Sequence, residues 1–151
     1  MTTTPDCRAA EQFLIQWKPE GPWPLCAFHE QRGNQAFATF GPDTIPEMGA
    51  WIDAQTEEER NVYFHVNTVS APDNGKAGKA NVRRIDWLHV DMDPRKDKPL
   101  RDEQRRILAK LQDENGDLPK PTIISFSGGG YQAFWKLAEP IVVNGDIAKI
   151  E

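Results

Sequence analysis

Apolar residues recur at helical spacing between Cys7 and Trp17, with Ala10, Phe13, Leu14 and Trp17 on one face. This predicts a first helix, with Thr4 as N-cap and Pro5 at the first position, where its missing N–H costs nothing. Lys18–Pro24 carries three prolines and a glycine and cannot continue it. A second amphipathic helix is predicted over Ile45–Arg60, opened by Pro46-Glu47. A third is predicted over Leu100–Glu114, with Ile107, Leu108 and Leu111 facing inward and Asn115-Gly116 ending it. Between the helices the period changes to two. Leu25–Glu30 and Gln35–Phe40 read as strands about a Gly33-Asn34 turn. Asn61–Val69 reads as one strand, with Val62, Phe64 and Val66 on one face. Ile85–Asp93, Thr122–Ser127 and Tyr131–Leu137 are further strands, the last two joined by Gly128-Gly129-Gly130. Ser70–Asn81 is a polar loop and Pro94–Pro99 a charged turn. Gly145–Glu151 reads as the opening of a helix, so the chain is expected to be the N-terminal part of something longer. Hairpins interleaved with helices argue for an α+β fold rather than a doubly wound parallel sheet.

Composition narrows this picture. A chain of 151 residues, 38% hydrophobic and with 5 Trp and 7 Phe, can build a real core and is expected to form one domain. The net charge of −5 excludes a chain-wide basic stripe. Nucleic-acid contact would have to come from a local cluster. The one concentration is Lys76, Lys79, Arg83, Arg84, Arg95, Lys96 and Lys98. No apolar run approaches the ~20 residues that span a bilayer. No basic-then-apolar leader opens the chain. Cys7 and Cys26 lack the spacing of a zinc site or disulfide framework, so reduced cysteines in a cytoplasmic protein are expected. His29 and His65 sit among apolar residues and are given no role.

Two stretches carry chemistry. In Trp87-Leu88-His89-Val90-Asp91-Met92-Asp93-Pro94, strand alternation puts Leu88, Val90 and Met92 on one face, expected to pack on helices. Trp87, His89, Asp91 and Asp93 share the other. Two carboxylates at the end of an otherwise apolar strand repel unless a cation lies between them. Mg²⁺ or Mn²⁺, which prefer oxygen ligands, would resolve the conflict. Pro94 then turns the chain away.

The second stretch runs from Pro121 to Leu137. A strand enters three glycines and an aromatic strand leaves them, which is more glycine than a hairpin needs. Glycine lets backbone N–H groups approach an anion closely. Ser127 precedes the turn, and Gln132 and Lys136 follow on one face of the returning strand, a hydrogen-bonding amide and a cation suited to polyphosphate. No Gly-Lys-Ser/Thr follows, so this is not a Walker loop. A carboxylate pair for metals beside fixed donors for phosphates is what nucleotidyl transfer requires.

The pairing of LHVDMDP with SFSGGGYQAFWKL some 35 residues later resembles the archaeo-eukaryotic primase superfamily. It looks most like the prim-pol or plasmid RepB-type domains of phage and plasmid replication proteins, and NVYFHVN and the GKAGKANVRR loop are similar in that setting. The resemblance is strongest over Asn61–Leu137. It implies a catalytic core related to the RNA-recognition fold over 61–151, joined to an N-terminal α/β unit over 1–60. It implies metal-dependent primer synthesis or DNA polymerisation, with Asp91 and Asp93 holding Mg²⁺ or Mn²⁺. Ser127, Gly128, Gly129, Gly130, Gln132 and Lys136 would bind the nucleoside triphosphate. Lys79, Arg83, Arg84 and Arg95 would meet a single-stranded DNA template, and a helicase would act in the same or a neighbouring chain. Gln132 stands where the family has histidine, and the family's third acidic motif would fall beyond Glu151. Both departures leave room for an alternative, a non-catalytic replication module that binds nucleic acid or a partner protein.

Overall fold

The computed structural model describes residues 6–29, 31, 33–72 and 75–150. It is an α+β chain of antiparallel ladders and helices that divides into two compact units. One unit takes the chain up to Arg84 together with the segment from Val142 onward. The other is Ile85–Ile141.

In the first unit, α1 (Cys7–Trp17) starts where the sequence indicates, but its cap is Asp6, whose carboxylate accepts the N–H groups of Arg8 and Ala9. Thr4 and Pro5 lie outside the described residues. The strands β1 (Trp23–Phe28) and β2 (Gln35–Phe40) form the expected hairpin, although β1 starts earlier than predicted and the predicted end, Glu30, lies outside the described residues. α2 (Ile45–Glu57) ends before the predicted Arg60. Glu59 adopts a left-handed backbone (φ 59°), which no helix continues through.

The predicted strand Asn61–Val69 is two. β3 (Asn61–Phe64) pairs with β1, giving the order β2-β1-β3. β4 (Thr68–Val69) pairs instead with the start of β5 (Val82–Met92). The break has a visible anchor, since the Trp17 indole donates to the Val66 carbonyl at 3.0 Å. Leu14, Trp23, Leu25, Phe40, Met48 and Ile52 form the core of this unit, flanked by Val62 and Phe64. The Trp23 indole inside it donates to the Leu14 carbonyl. The tail returns by backbone bonds, Val143 and Asn144 donating to the Arg83 carbonyl and Gly145 to that of Val82. The helix predicted over Gly145–Glu151 is only a single 3₁₀ turn, Ile147–Lys149, reached through left-handed Asn144 and Gly145; Glu151 is outside the described residues.

In the second unit the order is β5, then α3 (Leu100–Gln112), β6 (Ile123–Phe126) and β7 (Tyr131–Val142), with β7 central between β5 and β6. β6 and β7 are antiparallel, Ser125 opposite Gln132 and Ile123 opposite Phe134. α3 covers one sheet face: Ile107, Leu111 and Ala133 are buried, with Met92, Ile124, Tyr131 and Trp135 against them. Of the three β5 residues expected under helices, only Met92 is covered. Leu88 and Val90 are 52% and 38% exposed. The cluster that α3 joins is built mainly from β6 and β7, and its only β5 residue is Met92 at the strand's far end.

Met48→Ala, at a fully buried position in the first unit's core, is expected to lower unfolding free energy by about 3 kcal/mol in urea denaturation.

Candidate functional site

The chain leaves β5 through Asp91, Met92, Asp93 and Pro94, and both aspartates are exposed. What fixes this exit is Glu103 in the first turn of α3. Its side chain is almost wholly buried, and its carboxylate lies between two guanidiniums. Arg95 donates from Nε and a terminal nitrogen at 3.1 and 2.6 Å, and its backbone N–H donates at 3.1 Å. Arg106 donates twice from the next turn of the helix, at 3.0 and 2.9 Å. These donors, Arg95 foremost, hold the Glu103 carboxyl far below the ordinary carboxylate range, and Arg95 is pushed up in return.

The glycine turn closes on itself. Ser127 N–H donates to the Gly130 carbonyl at 3.0 Å, and Gly130 N–H donates to the Ser127 hydroxyl at 3.3 Å. Gly128 has φ 95°, which a residue with a Cβ rarely adopts. Gly130 is required for a different reason. A Cβ there would run into the Met92 carbonyl oxygen and lie 3.3 Å from the Asp93 Cα. The turn therefore packs directly on the end of the acidic strand. Helix α3 holds this arm too, since the Gln104 amide donates to the Gly129 carbonyl at 3.0 Å.

The Lys136 ammonium lies 5.8 Å from the centre of the Trp87 ring, and His89 is stacked on Phe134. Counting on from these two contacts by strand alternation brings Gln132 beside Asp91 and Gly130 beside Asp93, in keeping with the closeness of Gly130 to the Asp93 Cα. Asp91, Asp93, Ser127, Gly128, Gly129, Gly130 and Gln132 thus lie at one end of the sheet. Lys136 does not join them. It is four residues further along β7, on the order of 13 Å away by strand rise. Among the cations expected to meet template, Arg95 is committed to Glu103. Arg84 lies 3.7 Å from Glu20, and the Arg83 carbonyl receives the returning tail. Lys79 opens an exposed 3₁₀ turn. Lys79, Arg83 and Arg84 belong to the first unit and Arg95 to the second.

Glu103 and Gln104, which brace this end of the sheet, are residues that pattern reasoning missed. The spacing of Glu103 and Arg106 was visible as a helical pair, but nothing local marks the reach to Arg95 or Gly129. Among the described residues, no group of three or more His, Cys, Asp or Glu could hold a metal ion. Asp91 and Asp93 fit a looser mode of binding, in which Mg²⁺ takes one or two carboxylates and completes its shell with water and substrate phosphates. No protein-family model matches the chain, and neither does any curated protein or solved structure.

Two substitutions test this geometry. Glu103→Gln should lower the melting temperature at pH 7. A carboxyl whose folded pKa is depressed contributes stability above its ordinary 4.5 and loses it as pH falls through the folded value. The gap between wild type and variant should therefore narrow on acidification below 4.5 in a pH series of thermal melts. Gly130→Ala should cost roughly 1–3 kcal/mol through its clash with the β5 backbone. Gly129→Ala, with nothing within 4 Å, should cost under ~0.5 kcal/mol in the same denaturation assay.

Proposed function

We propose that the second unit is a nucleotidyl-transfer site of the primase-polymerase kind, which binds a nucleoside triphosphate together with Mg²⁺ or Mn²⁺ and serves primer synthesis or DNA polymerisation on a single-stranded template. One observation carries this reading. The glycine turn and the end of the acidic strand are packed together, Gly130 against the backbone of Met92 and Asp93, so that phosphate-binding and metal-binding groups meet at one sheet end. The β-α-β-β order with β7 central supports a core related to the RNA-recognition fold, since it matches the first half of a split β-α-β arrangement.

In this reading Asp91 and Asp93 hold the cation, which would neutralise phosphate charge and activate a primer hydroxyl. The backbone of the turn and the Gln132 amide would hold phosphate oxygens. Gln132 donates hydrogen bonds but brings no positive charge. The Ser127 hydroxyl receives the Gly130 N–H and so fixes the shape of the turn. The shortage of a third acidic ligand among the described residues favours a second reading, a module that binds nucleotide or nucleic acid without catalysis. A primer-synthesis assay on single-stranded DNA separates the two.

Calorimetric titration of dNTP in Mn²⁺ is expected to show saturable binding that Asp91→Asn weakens at least tenfold without lowering the melting temperature. Equal binding by the variant, or its unfolding, would reject the site. Gln132→His is expected to keep or strengthen binding in the same titration.

A further inference from the structure

Three cross-strand rows fall on the sheet face opposite α3: Trp87 with Lys136 and His89 with Phe134 are in contact, and two residues further along each strand alternation brings Asp91 beside Gln132. The middle row has no part in the site described above. Phe134 is buried at 5% exposure. On it lies the exposed imidazole of His89, ring centres 6.1 Å apart and planes 20° apart. A flat ring backed by a buried aromatic is a surface on which another flat ring can stack. Its place is specific. His89 is two residues before Asp91 on the same strand face, roughly 6.6 Å away by strand rise.

We propose that His89, backed by Phe134, is the seat of the nucleobase. This rests on the nucleotidyl-transfer reading and extends it. With the phosphates at Asp91, Asp93 and the glycine turn, the nucleoside lies along β5 over the imidazole. The row of Trp87 and Lys136 closes the far side. A template-directed site must accept every base, and stacking is the contact that does so, because every base presents a π-face. The seat therefore takes purine and pyrimidine nucleotides alike, and the choice between them comes from elsewhere.

The experiment uses the full chain in Mn²⁺, titrated by calorimetry with dGTP, dCTP and inorganic tripolyphosphate, which has phosphates but no base. His89→Ala is compared with His89→Phe, which keeps a flat ring, and melting temperatures are matched. His89→Ala should weaken dGTP and dCTP by about tenfold or more and leave tripolyphosphate unchanged, while His89→Phe should bind both nucleotides within a few-fold of wild type. If wild type binds the nucleotides and His89→Ala binds them equally, the base seat is wrong and the nucleotidyl-transfer reading stands. If His89→Ala weakens tripolyphosphate to the same degree, or His89→Phe fails like His89→Ala, His89 acts on phosphate or as a polar group, and stacking is rejected. If wild type binds neither nucleotide nor tripolyphosphate, the underlying reading falls and the seat with it.

Discussion

A carboxylate withdrawn from water between two guanidiniums is the interaction on which the second unit's site depends. Burying one charge is costly, and burying it among three or more charge-assisted hydrogen bonds is tolerable only in a narrow geometry. Glu103 meets that condition because Arg95 reaches it from the turn after β5 and Arg106 from its own helix. The cost of misplacing it fixes where Arg95 must be, and through Pro94 it fixes the direction in which Asp91 and Asp93 are offered. An apolar residue at 103 would carry no such directional demand.

The glycine turn supplies the opposite kind of constraint, one of exclusion. Beside the β5–β7 ladder, Gly130 can lie this close to β5 because it has no side chain to collide with the Met92 carbonyl. Attraction at Arg95 and absence at Gly130 together bring an acidic strand end and an anion-tolerant turn to one place, and α3 touches both arms through adjacent residues.

Local pattern carried most of the fold. α1, the β1–β2 hairpin, α3 and the β6–β7 hairpin follow from periodicity and from Pro and Gly punctuation, because each is decided within a dozen residues. What pattern could not supply was long-range. A single apolar run at Asn61–Val69 serves two separate ladders, and the distant Trp17 indole bonds to the Val66 carbonyl at its break. The alternation that placed Leu88 and Val90 on a common face was right, but which face a helix covers, and how far, is set by where α3 lies. The end of α2 turned on one backbone conformation at Glu59, which no side-chain pattern announces. For the candidate site, Asp91, Asp93 and the glycine turn were visible as unusual composition. The ones that position them, Glu103 and Gln104, look like ordinary surface residues of an amphipathic helix.

That Glu103 and Gln104 are neighbours in sequence yet tether opposite arms makes the segment from Pro94 to Gln104 a gauge of fixed length. One residue more or less before α3 would swing the helix by roughly 100°. Both tethers would then point away from their targets at once. Composition in this segment is free to drift where side chains face water, while its length is not. Across divergent versions of this chain, gaps should therefore collect in the polar loop before β5 and after α3, and spare the stretch between the second aspartate and the first turn of the helix.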